Sequence, residues 1–458
     1  MLKKFSLFLL LTSLVVFLFN FFFFDFSSLS ADKSFSGGEK IMALDIPINV
    51  ASKSVLLVNL DTDSVIFEKN TEEKLPIASL TKIITALVIL DKVKDLETKV
   101  LVKKEVIKSL YGTESSLSGI KIGEELSVLQ LLHCLLIPSG NDAALVLADY
   151  VGEGSIEKFV EMMNEKVAQL GCKNTHFMNP HGLDEEGHFS TAKDLTTIAK
   201  YAMGNSLFME ISSTSTSKIL GDGRYPLVTT NSMIDRARGG KYFYKYAKGI
   251  KTGYSSKAGR CLVSMASNEK YSYLCVALGG FGEKDENVAM IDSKNLYQWA
   301  FDNLQLKSLA TKNVPLGETN LKLSWGSKKL PLSPLKDCSV MLPKDILPSS
   351  IEYRLDVPEK IFAPINEGQV LGKATLSYAN SPVAVVDLVC EKAVKRSFLL
   401  LIVYIFTSFL NSIWFRASLA ILLVLLAFYI MLVIRQNKFR KRRRNKGRYL
   451  QKRNRNIF

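Results

Sequence analysis

Pro76-Ile77-Ala78-Ser79-Leu80-Thr81-Lys82 opens an apolar run in which Ile83, Ile84, Leu87, Val88, Ile89 and Leu90 recur near helical period. The pattern predicts a buried helix from Ser79 to about Asp91, with Pro76 just upstream, where the chain is not yet helical. Residues three apart share a helix face, so the Ser79 hydroxyl and the Lys82 amine can meet within one turn. A serine hydroxyl is a weak nucleophile until a base lies within hydrogen-bond reach. A lysine can be that base only if burial or a neighbouring cation holds it neutral. The apolar helix supplies the burial, and backbone N–H groups at a helix start can stabilise a developing oxyanion. Alone, S-x-x-K is a weak signal, because an N-cap serine with a solvated lysine has the same spelling.

Two further triplets add to it. Ser139-Gly140-Asn141 follows the mostly apolar Leu131–Ile137 stretch and Pro138, in a turn. A hydroxyl and an amide two residues apart can face one cleft, the first to relay a proton, the second to hold a peptide group. Lys251-Thr252-Gly253 precedes a predicted strand around Arg260. A cation there can bind a carboxylate and disfavour the charged form of Lys82. Thr252 can hydrogen-bond that carboxylate, and Gly253 lets backbone approach a ligand closely. Each triplet alone reads equally well as an ordinary turn or strand end.

The chain has 458 residues, enough for two or three domains. Its net charge is +15, but residues 435–458 hold twelve Lys/Arg and no acid, so the remainder carries only +3. The body therefore gives no electrostatic reason to expect nucleic acid. Cys134, Cys172, Cys261, Cys275, Cys338 and Cys390 are scattered without a C-x-x-C, neither a disulfide framework nor a zinc pattern. His176, His181 and His188 cluster, but their spacing matches no common zinc site and they read as structural. No metal or cofactor is indicated, and G-x-S-x-G, Walker A and G-x-G-x-x-G are all absent from the sequence.

Both ends read as membrane-directed. Lys3 and Lys4 precede an uncharged run, Phe5–Phe24, and small residues follow at Ser28–Ala31. Residues 1–31 are expected to be a secretory signal, with an uncleaved anchor as the other reading of so long a run. Residues 417–434 are apolar enough to span a bilayer, and the basic tail, 435–458, follows at once. Lys/Arg excess marks the cytoplasmic side, which places the body outside. Residues 398–415 are apolar with a thin polar stripe (Tyr404, Thr407, Ser408, Asn411, Ser412) and are expected to lie in the interface. The tail itself reads as a topology and anionic-lipid signal.

Between the ends, Ser54–Leu60 and Val65–Glu68 read as a hairpin. Helices are expected at Ser127–Cys134, Asp142–Tyr150, Ile156–Leu170 (closed by Gly171), Asp194–Met203 and Lys294–Asn303. Arg260–Ala266 and Tyr271–Gly279 read as strands. Early and late strands flanking helices predict an α+β fold with one antiparallel sheet over residues 40–303. Short strands punctuated by Pro, Ser and Lys predict a small all-β domain over residues 305–392.

Taken in order, S-x-x-K, S-x-N and K-T-G resemble the penicillin-recognising serine D-Ala-D-Ala peptidases, and among them the low-molecular-mass penicillin-binding proteins that act as D-alanyl-D-alanine carboxypeptidases. The flanks Ala78–Lys82, Pro138–Ala144, Gly249–Gly253, Thr175–Leu183 and Ser190–Leu195 carry the likeness, as do Ala363-Pro364 and Glu367–Gly372 in the β domain. The resemblance implies that family's fold, an antiparallel sheet with helices on both faces, followed by the small β domain and a terminal anchor. It implies Ser79 as acylated nucleophile, Lys82 as base, Ser139 as proton relay and Asn141 as the group holding the substrate amide. Lys251 and Thr252 would bind the terminal carboxylate, beside Gly253, and the N–H groups of Ser79 and Tyr254 would form the oxyanion hole. Its implied partners are peptidoglycan stem peptides ending in D-Ala-D-Ala, β-lactams and membrane lipids. The family often ends in an amphipathic anchor, whereas this chain adds a full span and a basic tail. The rival readings are a DD-endopeptidase or β-lactamase of the same fold, or an inactive cell-wall scaffold. Against the class A lactamase stand Ser139-Gly140-Asn141 in place of S-D-N and no recognisable deacylating glutamate.

Overall fold

The computed structural model describes residues 47–454 except 114, 222, 284 and 285. The expected signal, residues 1–31, and the last four residues of the tail lie outside the described residues.

The first body is built on a five-stranded sheet. Its strands are β1 (Ser54–Asn59), β2 (Val65–Lys69), β3 (Ala247–Ser255), β4 (Gly259–Ser267) and β5 (Ser272–Gly280). Their order is β2-β1-β5-β4-β3, every pairing antiparallel. β1 is buried along its whole length because both faces of the sheet are covered. Its side chains alternate between two cores as period 2 requires. Leu56 and Val58 enter the core shared with most of the helices, Val55 and Leu57 the core on the opposite face. β5 does the same, with Leu274, Val276 and Leu278 against Tyr273, Cys275 and Ala277.

The helices are α1 (Lys82–Lys92), α2 (Val128–Leu136), α3 (Asn141–Val151), α4 (Ile156–Gln169), α5 (Ala192–Met203), α6 (Ser206–Ser212) and α7 (Val288–Asn303). The first six supply the larger core, and α7 packs on the other face through Ala289, Leu296, Tyr297 and Ala300. One antiparallel sheet with helices is what the strand and helix pattern predicts, and helices on both of its faces is what the family resemblance implies. Every residue of α1 from Lys82 to Ile89 is buried, so this helix is interior on all sides. Ser127 caps α2 in a reciprocal box with Gln130, an arrangement worth about 1 kcal/mol. Gly171 ends α4 with a left-handed φ of 78°, as its position in the sequence predicts.

The second body, from Leu304, has β6 (Leu304–Ala310), β7 (Gly317–Lys322), β8 (Lys329–Pro334), β9 (Cys338–Pro343), β10 (Glu352–Asp356), β11 (Lys360–Phe362), β12 (Val370–Tyr378) and β13 (Ser381–Val389). β10-β12-β13-β8-β7-β11 form one sheet, and β6 pairs with β9. Leu332, Ala374, Leu376 and Leu388 are among its fully buried residues. β6, β8 and β11 are strands that short, Lys- and Pro-interrupted runs conceal in the sequence.

Two apolar helices follow, α8 (Phe398–Asn411) and α9 (Ile413–Asn454), broken at Ser412. Within α9, Phe415–Arg442 is long and apolar enough to cross a membrane and is a candidate anchor. The helix continues past residue 434, the end of the apolar span, through the described part of the basic tail. Two other boundaries also differ from the sequence reading. α7 begins at Val288, capped by Asn287, a turn and a half before Lys294. Lys251-Thr252-Gly253 lies within β3 itself, in register with Val263, Leu262 and Cys261, and not ahead of a strand.

Candidate active site

Ser79 sits in a 3-10 turn, Ala78–Thr81, that leads directly into α1. The turn enters through Ala78 at φ 47°, a left-handed conformation that needs support from its surroundings. Residues 179–188 provide it. The Thr81 hydroxyl donates to the Ala78 carbonyl at 2.8 Å and meets His188 Nε2 at 2.8 Å, while Thr85 donates to the Pro180 carbonyl at 2.7 Å. Gly182 packs so tightly here that a Cβ would stand 2.1 Å from the Ala78 oxygen. The Asn179 side chain braces this loop, accepting from Gly182 N–H at 2.7 Å and donating to the Leu183 carbonyl.

Lys82 is the centre of the site. Its Nζ lies 2.8 Å from Ser79 Oγ, 2.6 Å from Asn141 Oδ1 and 2.8 Å from the His181 carbonyl, and it is fully buried. Burial, and then the nearby Lys251 cation, hold its pKa well below that of an ordinary lysine, against an opposing pull from Asp142. Asp142 opens α3 and is fixed by Ser118, whose N–H and hydroxyl both donate to it at 2.9–3.0 Å. Its anionic charge at a helix start is favourable. Burial, followed by Lys82, drives His181 down to about 3, and burial drives His188 down to about 4. Both are therefore neutral scaffold groups. No cluster of three or more metal-ligating side chains occurs among the described residues.

Ser139 has φ 66° and is buried, and its hydroxyl has no hydrogen-bond partner among the described residues. The strain turns the chain between α2 and α3, with Asn141 N–H bonded to the Ser116 carbonyl at 2.8 Å. Lys251 is also buried, its Nζ donating to the Thr252 carbonyl at 3.1 Å, and burial lowers its pKa to about 7. The Thr252 and Thr230 hydroxyls are hydrogen-bonded. β3 is the edge strand, and it runs beside the 3-10 turn: a Cβ on Gly253 would be 2.7 Å from the Ile77 oxygen and 3.3 Å from Leu80 N. Tyr254 is exposed, and the Arg260 guanidinium of its cross-strand neighbour stacks over the ring at 4.1 Å.

The structure brings Ser79, Lys82 and Asn141 into one hydrogen-bonded cluster and sets Gly253 against the nucleophile turn. Lys251 reaches Lys82 through its charge rather than a hydrogen bond. Sequence reasoning missed the His181 carbonyl, Ser118 and Thr230. A backbone carbonyl has no side-chain signature, while Ser118 and Thr230 act from loops 24 and 22 residues from their partners.

A serine hydroxyl held against a buried, neutral-leaning lysine at the side of an exposed sheet edge is the equipment of a serine-type acyl-transfer hydrolase. Comparison with known proteins makes this class specific. Residues 40–282 match the D-alanyl-D-alanine carboxypeptidase (Peptidase S11) family model, and residues 305–396 match the penicillin-binding protein 5 C-terminal domain. The D-alanyl-D-alanine carboxypeptidase DacF of Bacillus subtilis is 31% identical over 73% of this chain and 84% of its own length. DacC of Escherichia coli, another D-alanyl-D-alanine carboxypeptidase, is 30% identical over 71% and 79%. Penicillin-binding protein 5 of Haemophilus influenzae shares the fold at TM-score 0.61 and 24% identity, covering 77% of this chain and 99% of that one. The chain belongs to the Peptidase S11 family of D-alanyl-D-alanine carboxypeptidases.

Proposed function

We propose that this protein is a membrane-anchored serine carboxypeptidase that removes the terminal D-Ala from peptidoglycan stem pentapeptides through an acyl-enzyme on Ser79. The observation that carries the reading is the 2.8 Å contact between Ser79 Oγ and a fully buried Lys82 Nζ. Only a neutral amine can take the serine proton, and burial beside Lys251 favours that form.

In the proposed reaction the stem peptide lies along β3. Its terminal carboxylate is held by Lys251 and Thr252, and the incoming anion favours the charged form of Lys251. Asn141 uses Oδ1 to steady Lys82 and offers its amide hydrogens to the substrate backbone. Ser79 Oγ attacks the carbonyl of the penultimate D-Ala as its proton passes to Lys82. The N–H groups of Ser79 and Tyr254 receive the developing oxyanion. The proton continues through Ser139, whose hydroxyl has no other partner among the described residues, to the leaving amine, and D-Ala departs. Water then hydrolyses the ester and restores both groups.

A β-lactam offers the same carbonyl and carboxylate and would acylate Ser79. Its opened ring stays tethered and bars the hydrolytic water, so the adduct persists. Glu185 and Glu186, the carboxylates nearest in sequence to such a role, both stand in an exposed loop, and Glu185 accepts from Asn179. This favours a peptidase over a lactamase. The basic residues after the candidate span support a topology with the tail inside and the catalytic body on the extracytoplasmic side.

The test is digestion of a pentapeptide muropeptide, with products identified by mass spectrometry. The proposal expects a tetrapeptide and one D-Ala for each stem. Cleavage of cross-bridges alone would identify an endopeptidase, and an unchanged pentapeptide would contradict both.

A further inference from the structure

A cavity of about 750 Å³ lies in the β domain where the chain leads into α8, remote in sequence from all three catalytic motifs. One wall is the β7–β8 connection with Ser324, Trp325 and Ser327, and the other is the segment Glu391–Ser397 that leads into α8. Its volume falls within the range of small-molecule sites, roughly 300–1,000 Å³. Lys392, Lys395 and Arg396 line it, and none of the three forms an ion pair with a described carboxylate. The fourth cation, Lys329, is paired with Glu318, and the lining carboxylate, Glu391, accepts from Ser333. The cavity therefore offers uncommitted positive charge and hydroxyls to an anion.

Its position identifies which anion. Ser397 N–H donates to the Leu323 carbonyl at 2.7 Å, and the Ser397 hydroxyl caps α8 at Leu400. The cavity mouth is thus fixed to the start of an apolar helix. On that helix Phe398, Ile402, Phe406 and Leu410, with Leu399 and Val403, form one exposed stripe at spacing four. The other face turns to the protein, where Tyr404 packs on Phe362 at 5.4 Å between ring centres. The stripe needs an apolar medium, and the candidate span begins only a few residues later. Trp325 at the cavity rim is 69% exposed, in the amphipathic role tryptophan takes at a bilayer surface.

We propose that this cavity is a binding site for the headgroup of an anionic phospholipid. Lys392, Lys395 and Arg396 hold the phosphate, Trp325 lies at the level of the glycerol, and the acyl chains run along the exposed stripe of α8. The lipid seats the β domain on the membrane at a fixed height, independently of the basic tail. The site does not depend on the assigned catalytic activity.

The test uses the full-length protein in a non-ionic detergent, titrated with phosphatidylglycerol and read by native mass spectrometry. Phosphatidylcholine and inorganic phosphate are the comparison probes. One phosphatidylglycerol is expected to bind at least about tenfold more tightly than phosphatidylcholine, with no competition from inorganic phosphate at similar concentration. The triple variant Lys392→Gln, Lys395→Gln, Arg396→Gln should lose that preference. The variant Lys392→Arg, Lys395→Arg should keep it, and a variant with Arg440–Arg444 all replaced by Gln should keep it as well. Far-UV circular dichroism and an unchanged thermal melt report that each variant is folded. Undiminished lipid preference in the triple variant would overturn the proposal, as would its loss in the tail variant alone. Equal binding of inorganic phosphate would overturn the assignment to a lipid.

Discussion

Gly253→Ala tests the close approach between the edge strand and the nucleophile. The added Cβ would stand 2.7 Å from the Ile77 oxygen, where ordinary contact begins at 3.4 Å, so about 0.7 Å must be absorbed. Ile77 and Leu80 are fully buried and cannot give way, and β3 is paired to β4 on its other side. The displacement therefore falls between β3 and the turn that carries Ser79. Misplacement by about 1 Å costs about 10²-fold in rate, so acylation should slow by about 10- to 10²-fold, or about 1.4–2.7 kcal/mol of barrier. Over-packing also costs about 1–3 kcal/mol of stability, so the melting temperature should fall while the fold persists at assay temperature. The assay is the rate of acylation by a fluorescent penicillin under pre-steady-state conditions, beside a thermal melt. Wild-type acylation in the variant would refute the idea that β3 positions the reacting carbonyl against Ser79.

Arginine stays protonated at any working pH, so Lys82→Arg should lose acylation by about two to four orders of magnitude; near-normal acylation would place the base elsewhere. The pH profile of kcat/KM should have two limbs. Lys82, depressed by burial and Lys251, acts as free base above its pKa, so activity is lost as pH falls through that value. Lys251, lowered to about 7 by burial, loses its proton as pH rises past that point, which weakens capture of the carboxylate by the free enzyme. The second limb should vanish from kcat, where bound carboxylate retains the proton; a flat kcat/KM from pH 6 to 9 would contradict the charge state assigned to Lys251. For the topology, protease added outside spheroplasts should digest the body and spare the tail, and loss of an epitope at Phe458 would reverse the orientation.

Much of this was legible because burial leaves a period in the sequence. The helix after Ser79 follows from apolar spacing, and β1 and β5 read as near-continuous apolar runs because both of their faces are buried. Serine at the start of α2 and Gly171 at the end of α4 name their own caps. β3 was hidden because its exposed side faces the cleft, and Lys248, Lys251 and two glycines give it no apolar alternation; its strand character comes from pairing with β4. The nucleophile, base and amide were legible as residue types in order. What holds them was not. The His181 carbonyl reaches Lys82 across 99 positions, and His188 reaches Thr81 across 107. In the β domain, β8 carries Pro331 and Pro334 and is recognisable as a strand only through its partners β7 and β13.

The most direct measurement is to quench the full-length enzyme during turnover of a pentapeptide substrate and locate the acyl group by peptide mapping. The account predicts an ester on Ser79, one D-Ala released for each ester formed, and neither in Ser79→Ala. An ester on any other residue, or D-Ala release that survives Ser79→Ala, would contradict it.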